Sequence, residues 1–200
     1  MGLTERSRPD ESALILRAQQ GDRAAFDGLV AMHYRRAFQF AMRLCGDPDD
    51  AADLVAETFI RVYRAIGQFR SAATFSTWLF RILSNVYLDL HRKQKSRRQV
   101  SIEETIDAEE GDLQRQFPDP SAGPEEIAVA EERKTALLRA IRQLPEIHRV
   151  MILLFHTEGK SYEEIAEIVG LPIGTVKSRM NRARLSLKGI LEQQMELFRT

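Results

Sequence analysis

The stretch SYEEIAEIVGLPIGTVKSRMNRARLSLKG, Ser161 to Gly189, divides into two amphipathic units around a Gly-Leu-Pro turn. Ser161 followed three residues later by Glu164 forms a capping box, so a helix begins at Tyr162. Ile165, Ala166, Ile168 and Val169 give that helix an apolar side, Gly170 ends it, and Leu171-Pro172 prevents simple continuation. A second helix starts near Ile173. Val176, Met180, Ala183 and Leu187 recur at steps of four, three and four, which turns them toward a core. Gly174, Ser178, Asn181 and Arg182 then face outward, flanked by Lys177, Arg179 and Arg184. From Gly170 to Lys188 there are five cations (the four basic residues just named from 177 to 184, and Lys188) and no acid. A short helix, a tight turn and a second helix with a polar, cationic outer face make a helix-turn-helix. Its second helix would enter the major groove, with Arg and Asn reading base edges and the flanking cations meeting phosphates. The competing reading is a solvated basic face on an ordinary helix pair.

Working outward, the pattern stays helical, with no alternating strand and no Asn-Gly or Asp-Gly hairpin. Helices are predicted over residues 11–20, from Asp22 as cap to about Leu44, from Asp47 as cap to about Ile66, and from about Phe75 to Lys93. From Ser101 to Glu126 nine acids accompany a single base and three prolines, a composition that cannot bury enough apolar surface to offset the entropy of ordering. The expectation is an all-α chain of two small domains joined by a flexible acidic linker: residues 10–98, a linker over 99–125, and a helix-turn-helix domain over 126–195. The 29 Lys and Arg balance the 29 Asp and Glu overall, so the partition of charge carries the information and the sum does not.

The helix after Pro48 has an apolar face of Ala51, Leu54, Val55, Thr58, Phe59 and Val62, and an opposite face of Asp50, Asp53 and Glu57 with Ile60 beside them. No cation falls between Arg43 and Arg61. Phosphates repel carboxylates, so in a DNA-binding chain this face suits a basic protein partner; otherwise it is a solvated acidic face. In the next helix Phe75, Leu79, Ile82, Leu83, Val86 and Leu90 make the core stripe, with Phe80 also expected inside. Trp78, Arg81, Asn85, Asp89 and Arg92 fall on an adjacent stripe, where an aromatic plane beside hydrogen-bonding and cationic groups can hold an unstacked base. Phe69 and Arg70, in the preceding loop, could add contacts, and the basic run His91 to Arg98 suits a phosphate backbone.

One cysteine excludes an intrachain disulfide and a Cys-rich zinc module. No apolar run approaches the roughly 20 residues of a membrane span, and no signal-like core opens the chain, so a soluble cytoplasmic protein without membrane insertion is expected. No nucleophile–base pair, phosphate loop or metal-ligand spacing is visible, and the four histidines are scattered. The expectation is therefore no enzyme, no cofactor and no metal.

The segments DAADLVAETFIRVYRAIGQFR and TFSTWLFRILSNVYLD, followed after the acidic stretch by LPEIHRVMILLFHTEGKSYEEIAEIVGLPIGTVKSRMNRARLSL, resemble the sigma factors of bacterial RNA polymerase, and in particular the small two-domain extracytoplasmic-function (ECF) group. The resemblance covers about residues 11–192 apart from the linker. It implies that Asp50, Asp53, Glu57 and Ile60 dock on the clamp helices of the polymerase β′ subunit. It implies that Phe69, Arg70, Trp78, Arg81, Asn85 and Arg92 open and read the −10 promoter element, with Asn85 and the loop holding a flipped base. It implies that Gly174, Thr175, Lys177, Ser178, Arg179, Asn181, Arg182 and Arg184 read the −35 element beside the β flap. The linker would run toward the RNA exit path, and an anti-sigma factor would hold the protein inactive. Ala72 and Ala73 depart from the family's usual Gly and polar residue in the loop, which leaves its base preference open. A plain helix-turn-helix repressor or activator, or a protein that sequesters a partner without DNA, are the rival readings.

Overall fold

A computed structural model describes residues 10–70, 73–98 and 124–197. Among these there are eight α-helices, one 3₁₀ turn and no strand. Helices α1 (Glu11–Gln19), α2 (Arg23–Cys45), α3 (Pro48–Ala65) and α4 (Phe75–Arg98) form the N-terminal half, with the 3₁₀ turn at Ile66–Gln68. Helices α5 (Pro124–Gln143), α6 (Glu146–His156), α7 (Tyr162–Val169) and α8 (Ile173–Leu197) form the C-terminal half. Of the expected linker, 99–125, residues 99–123 lie outside the described ones, and the last two positions already belong to α5.

Aspartates start the first three helices. Asp22 Oδ1 accepts from the Ala25 N–H at 3.1 Å, and Asp47 Oδ1 accepts from the N–H groups of Asp49 and Asp50 at 2.9 and 3.0 Å. Asp10 does the same for α1. Each such cap is worth about 1 kcal/mol because it satisfies amides that have no partner inside the helix. Pro48 occupies the first position of α3, where its missing N–H costs nothing. Thr74 caps α4, its Oγ1 accepting from the Thr77 N–H at 3.2 Å.

The N-terminal core is layered between α2, α3 and α4, with α1 laid across α2. Leu29, Phe40, Leu44, Leu54, Val62, Leu79 and Leu83 are sealed from solvent. Helix α4 differs from expectation in two ways. It runs to Arg98, through the basic run and beyond the predicted end near Lys93. Leu90, assigned to the core stripe, is 45% exposed, because the stripe has given out by Val86 and Tyr87 and the next four-residue step carries it past the last buried side chain between Phe75 and Arg92. A second buried stripe, Thr77, Phe80, Ser84 and Tyr87, stands in compensation. That stripe exists because α6 and α7 of the C-terminal half pack against α4.

In the C-terminal half the capping box forms as read. Ser161 Oγ accepts from the Glu164 N–H at 3.1 Å, and Glu164 Oε2 accepts from the Ser161 N–H at 3.0 Å. Gly170 closes α7 in the left-handed region, φ +67°, where a side chain would be strained, and its N–H reaches back to Ala166 O. Val176, Met180, Ala183 and Leu187 are buried as their spacing predicts. The helix-turn-helix is α7 and α8, supported by α6.

Candidate nucleic-acid interface

On α8, Gly174, Lys177, Ser178 and Arg182 are exposed, while Thr175, Arg179 and Asn181 are half-buried. Gly174 has open space where a Cβ would stand, so its role is not forced by packing. Six of the eight predicted side chains from Thr175 to Arg182 therefore share one helix surface with it. Arg184 does not join them: its guanidinium lies 5.3 Å from the centroid of the Phe155 ring, held inside its own domain. His148, on α6, stands behind the same surface. Burial, then the charges of Arg179 and Arg182, hold its imidazole below the ordinary value of 6.5, so neutral His148 backs the cationic face.

On α4, Arg81, Asn85 and Arg92 are exposed in one line, four residues apart in the first step and seven in the second. Arg92 is paired with Asp89 at 3.2 Å. Trp78 is not an open platform. It is half-buried in an aromatic cluster, 5.0 Å from Phe69 and 5.8 Å from Phe75 between ring centroids. Phe69 is half-buried with it, and Arg70 is exposed. The cluster fixes the start of the loop, and so does Gln19 of α1, whose side-chain amide donates to Ile66 O at 3.2 Å and Phe69 O at 2.9 Å. Sequence reading missed Gln19, since a lone polar residue near a helix end carries no periodic signal. Ala73 is described and half-buried; Ala72 lies outside the described residues.

On α3, Asp50 and Asp53 are exposed, Glu57 is half-buried and paired with Arg61 at 2.8 Å, and Ile60 is 45% exposed. Tyr63 belongs beside them. It is 50% exposed and rests edge-on against Phe26 at 4.9 Å. Its place three residues after Ile60 was the available signal. The face is thus acidic at the start of α3 and apolar toward its end.

The structure brings the α4 and α8 surfaces together. Asn85, Asp89 and Arg92 form one wall of a cleft of about 380 Å³, and Glu146, Leu171 and Arg179 belong to the other. Among the described residues, no helix is long and apolar enough to cross a membrane, and no group of three or more His, Cys, Asp or Glu side chains could hold a metal ion.

Comparison with known proteins matches both halves. Residues 29–97 fit the family model of sigma-70 region 2, and residues 134–187 fit that of sigma-70 region 4. The chain is 35% identical over 187 residues to the RNA polymerase sigma-H factor of Pseudomonas aeruginosa, covering 93% of this chain and 96% of that protein. It is 37% identical over 174 residues to the ECF RNA polymerase sigma-E factor of Escherichia coli K12, covering 87% and 90%. Among solved structures it resembles CnrH in complex with the cytosolic domain of CnrY, with a TM-score of 0.61 at 26% identity over 92% of this chain and 97% of that one. It also resembles the sigma factor RpoE of Bartonella quintana in complex with the anti-sigma factor NepR, with a TM-score of 0.60 at 27% identity over 84% and 96%.

Proposed function

The chain belongs to the extracytoplasmic-function sigma factors of the sigma-70 family, and on that footing we propose that it directs core RNA polymerase to a specific set of promoters and helps to melt them. The observation that carries this is the pairing of two exposed polar and cationic surfaces, on α4 and α8, in the order of the two family regions. The α8 surface reads the −35 element in the major groove. Lys177 and Arg179 meet phosphates, while Ser178, Asn181 and Arg182 face base edges. The α4 surface, with Arg70 and the loop after Phe69, takes the −10 element as single strand. Unstacking a base costs a few kcal/mol, and stacking returns about 1–3 kcal/mol per base. Since Trp78 is packed against Phe69 and Phe75, it offers an edge and a rigid wall to that strand, and Asn85 supplies the polar contact.

The α3 face of Asp50, Asp53, Glu57 and Ile60, extended by Tyr63, docks on the clamp helices of β′. Residues 10–98 then act as the polymerase-docking and −10 domain, residues 126–195 as the −35 domain beside the β flap, and 99–125 as the connection. The chain makes and breaks no bonds itself and works in the cytoplasm, where polymerase and promoters are. By likeness to the complex of RpoE with the anti-sigma factor NepR, an anti-sigma factor controls it.

The test is transcription by purified core polymerase on a library of promoter fragments, with and without this protein. Initiation that depends on the chain, from fragments sharing two spaced motifs, is the expected result. Tight duplex binding with no rescue of initiation would leave a repressor or activator, and the roles given to α3 and α4 would fall.

A further inference from the structure

Helix α1 lies outside both stretches that fit the family models, residues 29–97 and 134–187. It nonetheless packs on the turn that leads into the −10 surface. At its last residue, one side-chain nitrogen of Gln19 donates to two carbonyls, Ile66 O at 3.2 Å and Phe69 O at 2.9 Å. Ile66 O also accepts from the Phe69 N–H at 3.0 Å, the bond that closes the 3₁₀ turn. Gln19 therefore ties the turn at both ends. The Phe69 carbonyl belongs to the same planar peptide as the Arg70 N–H. Holding that oxygen sets the direction in which the chain leaves the turn, and so where the exposed Arg70 stands. Two oxygens converging on one position call for a donor with two hydrogens. A carboxylate there would repel them, and an apolar side chain would leave them without this partner.

The donor is itself held still. Glu11 Oε1 lies 2.7 Å from His33 Nε2 of α2, and the His33 ring stands 4.9 Å from that of Phe75. Phe75 belongs to the cluster with Phe69 and Trp78. Leu14 is buried against α2 where Gly28 leaves room; a Cβ on Gly28 would stand 3.3 Å from both Leu14 methyl carbons. A donor on a fixed helix can preorganise a loop. Preorganisation matters most for a base that must be caught unstacked, because the cost of ordering the loop would add to the cost of unstacking.

We propose that Gln19 is a positioning residue for −10 strand capture: its amide holds the Ile66–Phe69 turn so that Arg70 meets the unpaired strand. The destination of Arg70 rests on the function proposed above; the hold on the turn does not. Gln19→Met removes the donor, and Gln19→Lys keeps one that can reach both carbonyls. Trp78, the one tryptophan of the chain, packs on Phe69 and reports on the turn without DNA. In the free full-length chain, Gln19→Met should raise acrylamide quenching of Trp78, and Gln19→Lys should not. Unchanged quenching in a Met variant that melts like the natural chain overturns the proposal. The second readout uses each chain assembled with core polymerase and a labelled single strand bearing the −10 motif from the promoter library. Gln19→Met should weaken strand binding about fivefold, the worth of one net hydrogen bond. Affinity for −35 duplex should hold, and Gln19→Lys should restore most of the loss. Added to Arg70→Ala, Gln19→Met should weaken binding no further, since it acts through Arg70. Greater quenching with undiminished strand binding, or a loss that Gln19→Lys leaves in place, sinks the capture role. If quenching rises while no chain, the natural one included, binds any strand, the promoter reading fails and takes the capture role with it, leaving only the hold on the turn.

Discussion

Arg182 is exposed on α8, one turn beyond the exposed Ser178. Arg182→Ala should cost about 1–3 kcal/mol of promoter binding if the guanidinium reads a base edge, and the loss should be confined to one position of the −35 element. Binding titrations against single-base −35 variants check this; a uniform loss would make it a phosphate contact. His148, behind it, supplies a pH dependence. Its folded pKa lies below 6.5, so as pH falls through 6.5 the unfolded chain takes up the proton before the folded one does. Its contribution to stability is whole above that pH and is lost progressively as pH drops toward and through the folded value. Melting temperatures between pH 7.5 and 5.5 should fall less steeply for His148→Gln than for the natural chain. These roles differ in legibility. Arg182 was readable because its spacing set it opposite a core stripe. Arg184 shares the charge and the helix, but its fold onto Phe155 depends on a ring 29 positions away in sequence, which no local pattern encodes.

Among the helices, α3 carries the sharpest test. Asp53 is exposed, so Asp53→Arg should leave the melting curve unchanged, while the reversed charge costs several kcal/mol at a basic partner surface and weakens core polymerase binding by about a hundredfold or more. Equal affinity in a pull-down or titration would remove the docking role. Helix ends were legible wherever a cap residue announced them: Asp22, Asp47 and Ser161 all do what their chemistry predicts. The end of α4 was not, because Lys, Gln and Arg are good helix formers and no Gly or Pro stops them after Lys93. Two glycines separate backbone strain from contact. Gly21 and Gly46 both have φ near +80 to +90°, yet a Cβ at Gly21 meets open space, whereas at Gly46 it meets the Arg142 guanidinium from α5. Gly21→Ala should cost about 1 kcal/mol in denaturant melts. Gly46→Ala should cost that and also displace Arg142, loosening the contact between the halves.

For the molecule as a whole, the helical class, the helix-turn-helix and the family were all legible, since each rests on local periodicity or on long runs of matching residues. The closed packing of one half on the other was not. Its polar contacts come from Thr77, Lys160, Glu158, Tyr87 and Arg149, single residues far apart in sequence with no shared period. Phe80 was expected inside, and Tyr87, two turns further along, is buried with it under that second covering. That double covering has an evolutionary consequence. Between Phe75 and Arg92 only Arg81, Asn85, Leu90 and Arg92 are exposed. Three of these four are assigned to promoter contact, which leaves Leu90 as the single exposed position without a task. Neutral drift on this stretch of α4 is therefore nearly closed off, whereas α1, with four of its nine side chains open to water, can wander. Change in promoter preference should arise through paired substitutions, one on α4 and a compensating one in the helix packed against it.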